Sequence, residues 1–566
     1  MVSRFSWFSR KGKAAPKGTG SSLPAATTDW NANEDFFHFT RGRFVYDGGQ
    51  QLAQRTRRFN INALAEIAAK AAGAGHCVKV EKCPDGMYNR AFIFTMDNGT
   101  QVVGKVPNPN AGIPHYTTAS EAATLEFMRT VLQTPVPRVY AWNSKLDEQN
   151  PVGAEYIIME KMPGIPLSHV WDSLDPPEQL KVFLQVFRMQ KRWAGTRFMK
   201  FGALYYAESI ATATSTSGPV SSVVPAKCVY INEDGERVDD TRFTIGPAVG
   251  REWVEDGRQA GWWSISMLDY LTAAGLKEKV AIENLQYIPK QMVIVYGPDG
   301  LYQPTLAKKL SAVDYYLKAV KDLIPTDADA KLVSGGHLWH NDLHCESILV
   351  NPEKPTEILG IIDWQSVQIS PLFQNDIDPS FLGYDGPELK DDDLTPPELE
   401  DTSSLDAAGQ ALAIRTFYKT SLMVAWRMLV KEKDPSQYTA IRFRRSLRGH
   451  LLNLGKSTFT LGEAHTRALF LDLKAEEPAF PLWFSETEKA EIERDALAVH
   501  QGTELMKDIA DRLTERDLWP EKGLIESENY EAVMAELRSI KGELMAQFAK
   551  SEADRKIFEE LWIFDC

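Results

Sequence analysis

Two acidic side chains, Asp342 in Leu338–Val350 (LWHNDLHCESILV) and Asp363 in Ile358–Gln365 (ILGIIDWQ), have the setting for metal-assisted chemistry. His340, Asn341 and Asp342 fall in a polar turn, and Ile348-Leu349-Val350 is an apolar run closed by Asn351-Pro352. Ile358–Ile362 is a second apolar run that delivers Asp363 at its end. Folded as a hairpin, the two runs bring Asp342 and Asp363 to one edge. Paired carboxylates there suit Mg²⁺, which takes hard oxygen ligands and keeps some of its waters, and leave one acid free to accept a proton. Two plainer arrangements use the same residues: Asp342 capping a turn beside a satisfied core His340, or His340, Asp342 and His344 gathered around a transition metal, as in a metal hydrolase. The other histidines are scattered, and His337 has no evident partner.

The pattern His340-x-Asp342-x-x-x-x-Ser347, followed by Ile361-Ile362-Asp363-Trp364, resembles the catalytic loop and metal-binding segment of the aminoglycoside phosphotransferase and choline kinase group. These are protein-kinase-like enzymes that phosphorylate small molecules. The resemblance implies an α+β, protein-kinase-like bilobal fold, with a small mixed N-lobe, a large mostly helical C-lobe, and ATP and Mg²⁺ as cofactors. It implies that Asp342 orients or deprotonates the acceptor hydroxyl and that Asp363 holds Mg²⁺ on the phosphates. One position departs from the family: the Asn expected five residues after the loop Asp, a further metal ligand, is Ser347. A serine hydroxyl ligates Mg²⁺ in P-loop enzymes, with shorter reach.

The elements that must hold these groups can be read upstream. Ala91–Met96 and Thr100–Val106 read as strands joined by Asp97-Asn98-Gly99, a hairpin turn. Lys105 ends the second strand, and Thr118–Leu132 reads as a helix carrying Glu121. In the family such a pair grips the α- and β-phosphates; standing alone, the two are ordinary surface charges. By resemblance, the loop Pro84–Arg90 covers phosphate, with Gly86 and Asn89 offering N–H groups. Tyr156–Glu160 is an apolar strand and Lys161–Leu167 a turn, which the resemblance makes the interlobe hinge, with Glu160 and Met162 at the nucleotide. Asn60–Ala72 and the run holding Leu180, Phe183, Leu184 and Phe187 are helical by period.

The chain has 566 residues, 43% hydrophobic and 25% charged, an ordinary globular composition. Five cysteines without zinc or disulfide spacing suit a reducing compartment. No apolar run reaches a membrane span. A net charge of −14 argues against nucleic acid as a partner. Met1–Thr28 carries five basic residues and no acid, so the remainder stands at −19. That Arg-bearing, Ser-rich segment reads as a mitochondrial transit peptide or a disordered basic tail.

Glu34–Asn60 resembles the opening of the fungal altered inheritance of mitochondria proteins, kinase-like proteins with an aminoglycoside-phosphotransferase-type domain, which implies a mitochondrial location. The expected organisation is a tail at 1–28, an extension and nucleotide-binding lobe at 29–163, and an acceptor lobe at 164–566. The acceptor lobe would carry an insertion at about 205–263, as a lid or a surface loop, then a helix at Ser264–Ala273. Tyr384–Ser404 is an acidic loop, either solvated or a rim for a cationic acceptor. Helices return at Leu405–Lys431 and from Glu486 onward. The leading functional expectation is ATP- and Mg²⁺-dependent phosphorylation of a small hydroxyl- or amine-bearing molecule, the acceptor unnamed. Ser347 and the glycine-poor loop motivate the competing one, a catalytically impaired pseudokinase acting as a mitochondrial scaffold.

Overall fold

The computed structural model describes residues 28–211, 226–254, 266–325, 333–384, 394–399 and 401–564, with 386 and 389 as isolated positions. The expected transit segment lies outside the described residues, as do parts of 205–263 and of the acidic loop.

Helix α1 (Ile61–Ala71) begins at Asn60, whose side chain accepts the Ala63 N–H. It packs on an antiparallel sheet of β1 (Cys77–Lys82), β2 (Asn89–Met96), β3 (Gln101–Pro107), β4 (Val139–Asn143) and β5 (Tyr156–Glu160), in the order β1-β2-β3-β5-β4. Gly99, at a φ of +82°, closes the β2–β3 turn that the Asp-Asn-Gly triplet predicts. Leu64, Ala68, Phe92, Phe94, Val102 and Ile158 share one buried cluster, each large side chain contributing about 1.5–3 kcal/mol on burial. Helix α2 (Tyr116–Thr130) connects β3 to β4 and is buried on most of its surface.

The second lobe is organised by the helix Pro176–Gly195, started by an Asp175–Glu178 capping box with proline in its first turn. Phe183, Phe187 and Trp193 of this helix enter the largest core together with Trp339 and Trp364, whereas Leu180 stays exposed. A six-stranded sheet runs Ile369–Pro371, Gly336–Leu338, Arg197–Phe198, Ala226–Ile231, Arg237–Gly246, Ala203–Tyr206. Three of its strands come from the region expected to be an irregular insertion. Phe243–Gly246 is buried on both faces and the Ala226–Ile231 ladder carries a bulge, so neither shows the period-two alternation of a half-exposed strand. The helix expected at Ser264–Ala273 runs from Met267 to Glu283, longer than expected. Gly275 does not stop it but packs against Tyr316, where a Cβ would meet the ring at 2.7 Å.

Val533, Leu537, Ile540, Leu544 and Phe548, the apolar stripe of Tyr530–Phe548, pack with Met506, Ile509 and Leu513 of Glu486–Thr514. Arg43–Phe44 pairs with Leu524–Ile525 and joins the N-terminal extension to these C-terminal helices. Among the described residues no helix is long and apolar enough to cross a membrane.

Candidate active site

Ile348–Asn351 and Lys354–Ile361 form the expected hairpin, with Ile348 opposite Ile361. The Ile362 N–H donates to Ser347 O at 2.9 Å, carrying the pairing one residue further. Asp342 therefore precedes one strand and Asp363 follows the other at the same end. His340 Nε2 lies 2.9 Å from Ile362 O, and its ring meets Trp364 edge-on at 4.8 Å. With the carbonyl as acceptor, Nε2 carries the proton. Burial holds the imidazole below its usual pKa, against the pull of Ile362 O and the nearby Asp363 and Asp342 charges, so the ring is a neutral strut. Asp363 takes a φ of +68°, a conformation that costs a non-glycine residue energy and marks functional segments.

Lys105 leaves β3 and meets Glu121 of α2: Nζ to Oε1 is 2.6 Å, with neither side chain more than 7% exposed. Asp363 Oδ1 is 3.8 Å from the same ammonium. Burial raises the Glu121 carboxyl, with Lys105 pulling it back. Lys105 and Glu121 line a small opening shared with Asn89, Thr117, Thr118 and Gln365. Carboxylate oxygens at Asp363, 37% exposed, and at Asp342, 63% exposed, are hard donors of the kind Mg²⁺ takes.

The turn expected to cover phosphate, Pro84–Arg90, departs from expectation. The Gly86 N–H donates to Asn89 O at 3.2 Å, inside the turn, instead of pointing to a ligand. The Asn89 amide bonds Gln365 Oε1, and Gln365 Nε2 donates to Ala111 O at 3.0 Å. The cause is Asp85: its carboxylate accepts from Thr40 N (2.8 Å), Thr40 Oγ1 (3.0 Å) and Lys82 Nζ (2.7 Å), fastening the turn to the N-terminal extension. Gln365 and Thr40 escaped the sequence reading; a glutamine directly after the Asp363-Trp364 pair was the only available signal.

Ser347 is buried, and its hydroxyl donates to Asp342 O at 3.2 Å, bracing the loop. His344 Nε2 is 3.8 Å from Asp342 Oδ2. With His340 turned to Ile362, these side chains form no three-residue ligand set, and no such group occurs among the described residues. Glu160 Oε2 accepts the Arg138 N–H at 3.2 Å, while Met162 packs on Gly360, where a Cβ would lie 2.6 Å from its methyl. Gly164, at a φ of +100°, brings the segment expected as the hinge against Val350 O, leaving no space for a Cβ. His337 is buried and its pKa pushed down to about 4 by that burial.

The strand order, the Lys105–Glu121 pair and the hairpin that carries Asp342 and Asp363 define a protein-kinase-like fold of the aminoglycoside-phosphotransferase type. The chain is a distant homologue of two groups of fungal proteins. It is 26% identical over 496 residues to a subtelomeric hrmA-associated cluster protein of Aspergillus fumigatus, covering 83% of this chain and 94% of that one. Altered inheritance of mitochondria protein 9 of Kluyveromyces lactis is 24% identical over 350 residues, 58% of this chain and 52% of that protein. The Yarrowia lipolytica protein of that name is 24% identical over 381 residues, 62% of each. No protein-family model matches the chain. Similar solved structures include APH(2")-IIia with GDP and kanamycin, at a TM-score of 0.31 and 12% identity, covering 76% of this chain and 98% of that one. Macrolide 2'-phosphotransferase MphH of Brachybacterium faecium gives 0.26 and 11%, covering 70% and 98%.

Proposed function

We propose that the chain is an ATP- and Mg²⁺-dependent phosphotransferase acting on a small hydroxyl- or amine-bearing molecule. One observation carries the reading: Lys105 Nζ lies 2.6 Å from Glu121 and 3.8 Å from Asp363, and Asp363 follows the hairpin whose other strand is preceded by Asp342. Bound Mg²⁺ supplies charge neutralisation at the nucleotide's phosphates. Lys105, fixed by Glu121, grips the α- and β-phosphates; Asp363 holds the metal, with Ser347 as the candidate for a further oxygen donor. Asp342, exposed and next to the buried His340, orients the acceptor group and takes its proton. Such catalysis is mainly positioning, so small displacements of these groups cost rate steeply. We also propose a mitochondrial location, supported by the basic, acid-free Met1–Thr28 and by the names of the mitochondrial relatives; a C-terminally tagged chain excluded from mitochondria would refute it.

The test is a thermal scan of the purified protein with nucleotides and metals, followed by phosphorylation of a metabolite extract. Mg-ATP is expected to stabilise the wild type and not Asp363→Ala, while Asp342→Ala binds but does not turn over. Absence of any Mg-nucleotide effect on the wild type would sink the reading. A second reading, a scaffold with little turnover, is favoured by the Ser347 hydroxyl being committed to Asp342 O. A large gain in ATPase activity in Ser347→Asn would support it.

A further inference from the structure

Arg251 opens the short helix Arg251–Val254, inside the region expected as a lid or a surface loop. Its guanidinium carbon lies 3.8 Å from the centre of the Tyr88 ring, in the Pro84–Arg90 turn of the small lobe. Among the described residues no carboxylate pairs with this half-buried group and no acceptor takes its N–H donors. The adjacent acid, Glu252, is committed elsewhere: its Oε1 accepts from Gln368 Nε2 at 2.8 Å and stands 3.9 Å from Lys456 Nζ.

One side chain fixes the backbone on both sides of Arg251. Gln368 Oε1 accepts the Gly250 N–H at 3.0 Å, while its Nε2 holds Glu252. A Cβ at position 250 would lie 2.7 Å from Gln368 Oε1, so the grip depends on glycine. Three anchors then set where Arg251 stands. Gln368 follows Asp363 by five residues. Val249 shares a buried cluster with Ala119 of α2, two residues before Glu121. Tyr88 precedes Asn89, which lines the small opening together with Lys105, Glu121 and Gln365. Each anchor lies within a few residues of a group of the candidate site, and the three come from different elements.

An arginine held this firmly ordinarily has an anion to hold. Contact with an aromatic face fixes the guanidinium and leaves its in-plane donors open. That planar fork matches the oxygens of a phosphate, and a transferring phosphoryl group gains from a further cation beside the lysine and the metal.

We propose that Arg251 is a phosphate-binding residue of the nucleotide site, donating to an oxygen of the β- or γ-phosphate, with Tyr88 as the platform that presents it. This rests on the phosphotransferase reading and adds to it a contact from the second lobe that the nucleotide completes.

The experiment titrates the full chain by calorimetry with Mg-ATP, Mg-ADP and AMP, in wild type, Arg251→Gln, Arg251→Lys and Tyr88→Phe. Arg251→Gln is expected to weaken Mg-ATP by about tenfold or more, since a charge-assisted contact is lost. AMP, which has neither phosphate, should change by less than about threefold. A loss for Mg-ATP alone assigns the contact to the γ-phosphate, and a loss for Mg-ADP as well assigns it to the β-phosphate. Arg251→Lys keeps the charge without the fork and should fall between wild type and Arg251→Gln. Tyr88→Phe keeps the aromatic face and should bind Mg-ATP like wild type. Unliganded melting curves separate loss of binding from loss of fold. Equal losses for AMP and Mg-ATP would mark a latch between the lobes and overturn the proposal. Mg-ATP binding that Arg251→Gln leaves unchanged removes this contact alone, whereas a wild type that binds no Mg-nucleotide removes the phosphotransferase reading with it.

Discussion

Replacing Glu121 by glutamine tests the geometry of this site most directly, because the consequence is set by two distances. Lys105 Nζ is 2.6 Å from Glu121 and 3.8 Å from Asp363. At an effective dielectric of about 20 the gross attractions are about 6 and about 4 kcal/mol. Leaving a buried cation without a partner costs roughly 3–5 kcal/mol, but here Asp363 recovers part of the loss. Its partial exposure lets water screen that rescue, so the net cost is expected at about 2–3 kcal/mol. The rescue has a functional consequence: an Asp363 drawn onto Lys105 is no longer available to a metal, and Mg-nucleotide affinity should fall by about tenfold or more. Burial outweighs Lys105 in setting the Glu121 carboxyl, which stays raised. The stability linked to it is therefore greatest below its ordinary pKa and declines as pH rises through the folded value; Glu121→Gln removes that decline. The pair as a whole contributes little, so Lys105→Met/Glu121→Leu should lie within about 1 kcal/mol of wild type. Urea denaturation of wild type, both single variants and the double, with nucleotide titrations of each, measures the coupling. Additive stabilities, or an unchanged nucleotide affinity in Glu121→Gln, would refute the reasoning.

Three further outcomes are expected. His337 is buried with its pKa at about 4, so it favours folding above its ordinary value and loses that advantage as pH falls from about 6.5 toward 4. The loss approaches about 3 kcal/mol, and a melting-temperature profile that is no flatter in His337→Gln than in wild type would contradict it. Gly164→Ala places a Cβ 2.5 Å from Val350 O at a positive φ, and should destabilise by about 2 kcal/mol or more in denaturant unfolding. Gln365→Ala cuts the bridge from Asn89 to Ala111 O, and should speed nucleotide dissociation in stopped-flow measurements, with melting nearly unchanged.

What could be read in advance was local. The Asn-Gly turn, the capped helix at Asn60, and the apolar runs ahead of Asp342 and Asp363 are encoded within a dozen residues each, and the structure has these elements. The order of a strand lysine and a helix glutamate was equally visible, and the two side chains do meet. What escaped depends on contacts between distant segments. Thr40 holds Asp85 from 45 residues away, and Gln365 reaches Asn89 across 276. The strands between Ala203 and Gly246 had no periodic signal because their buried ends face core on both sides. Arg444 sits in a helix whose basic residues look like a solvated face until the fold brings Asp376 beside it.

The single glycine of the 84–90 turn, proposed to cover phosphate, is compatible with those distant contacts. A glycine-rich turn achieves close approach to phosphate through conformational freedom, which carries an entropic cost. Here the turn is fixed instead: Asp85 is buried and bound by Thr40 and Lys82, and Arg41 Nη1 donates to its carbonyl at 3.2 Å. The same extension continues into Arg43–Phe44, which pairs with Leu524–Ile525 and packs with Met87 of that turn. Gly42 permits that pairing, since a Cβ there would overlap Ile525 O. The Gln365–Asn89 bridge and this N-terminal strap are two of the contacts that join the lobes, beside Lys105–Asp363 and the Ile361 N–H on Pro135 O. A turn braced in that way does not depend on the conformational freedom of glycine.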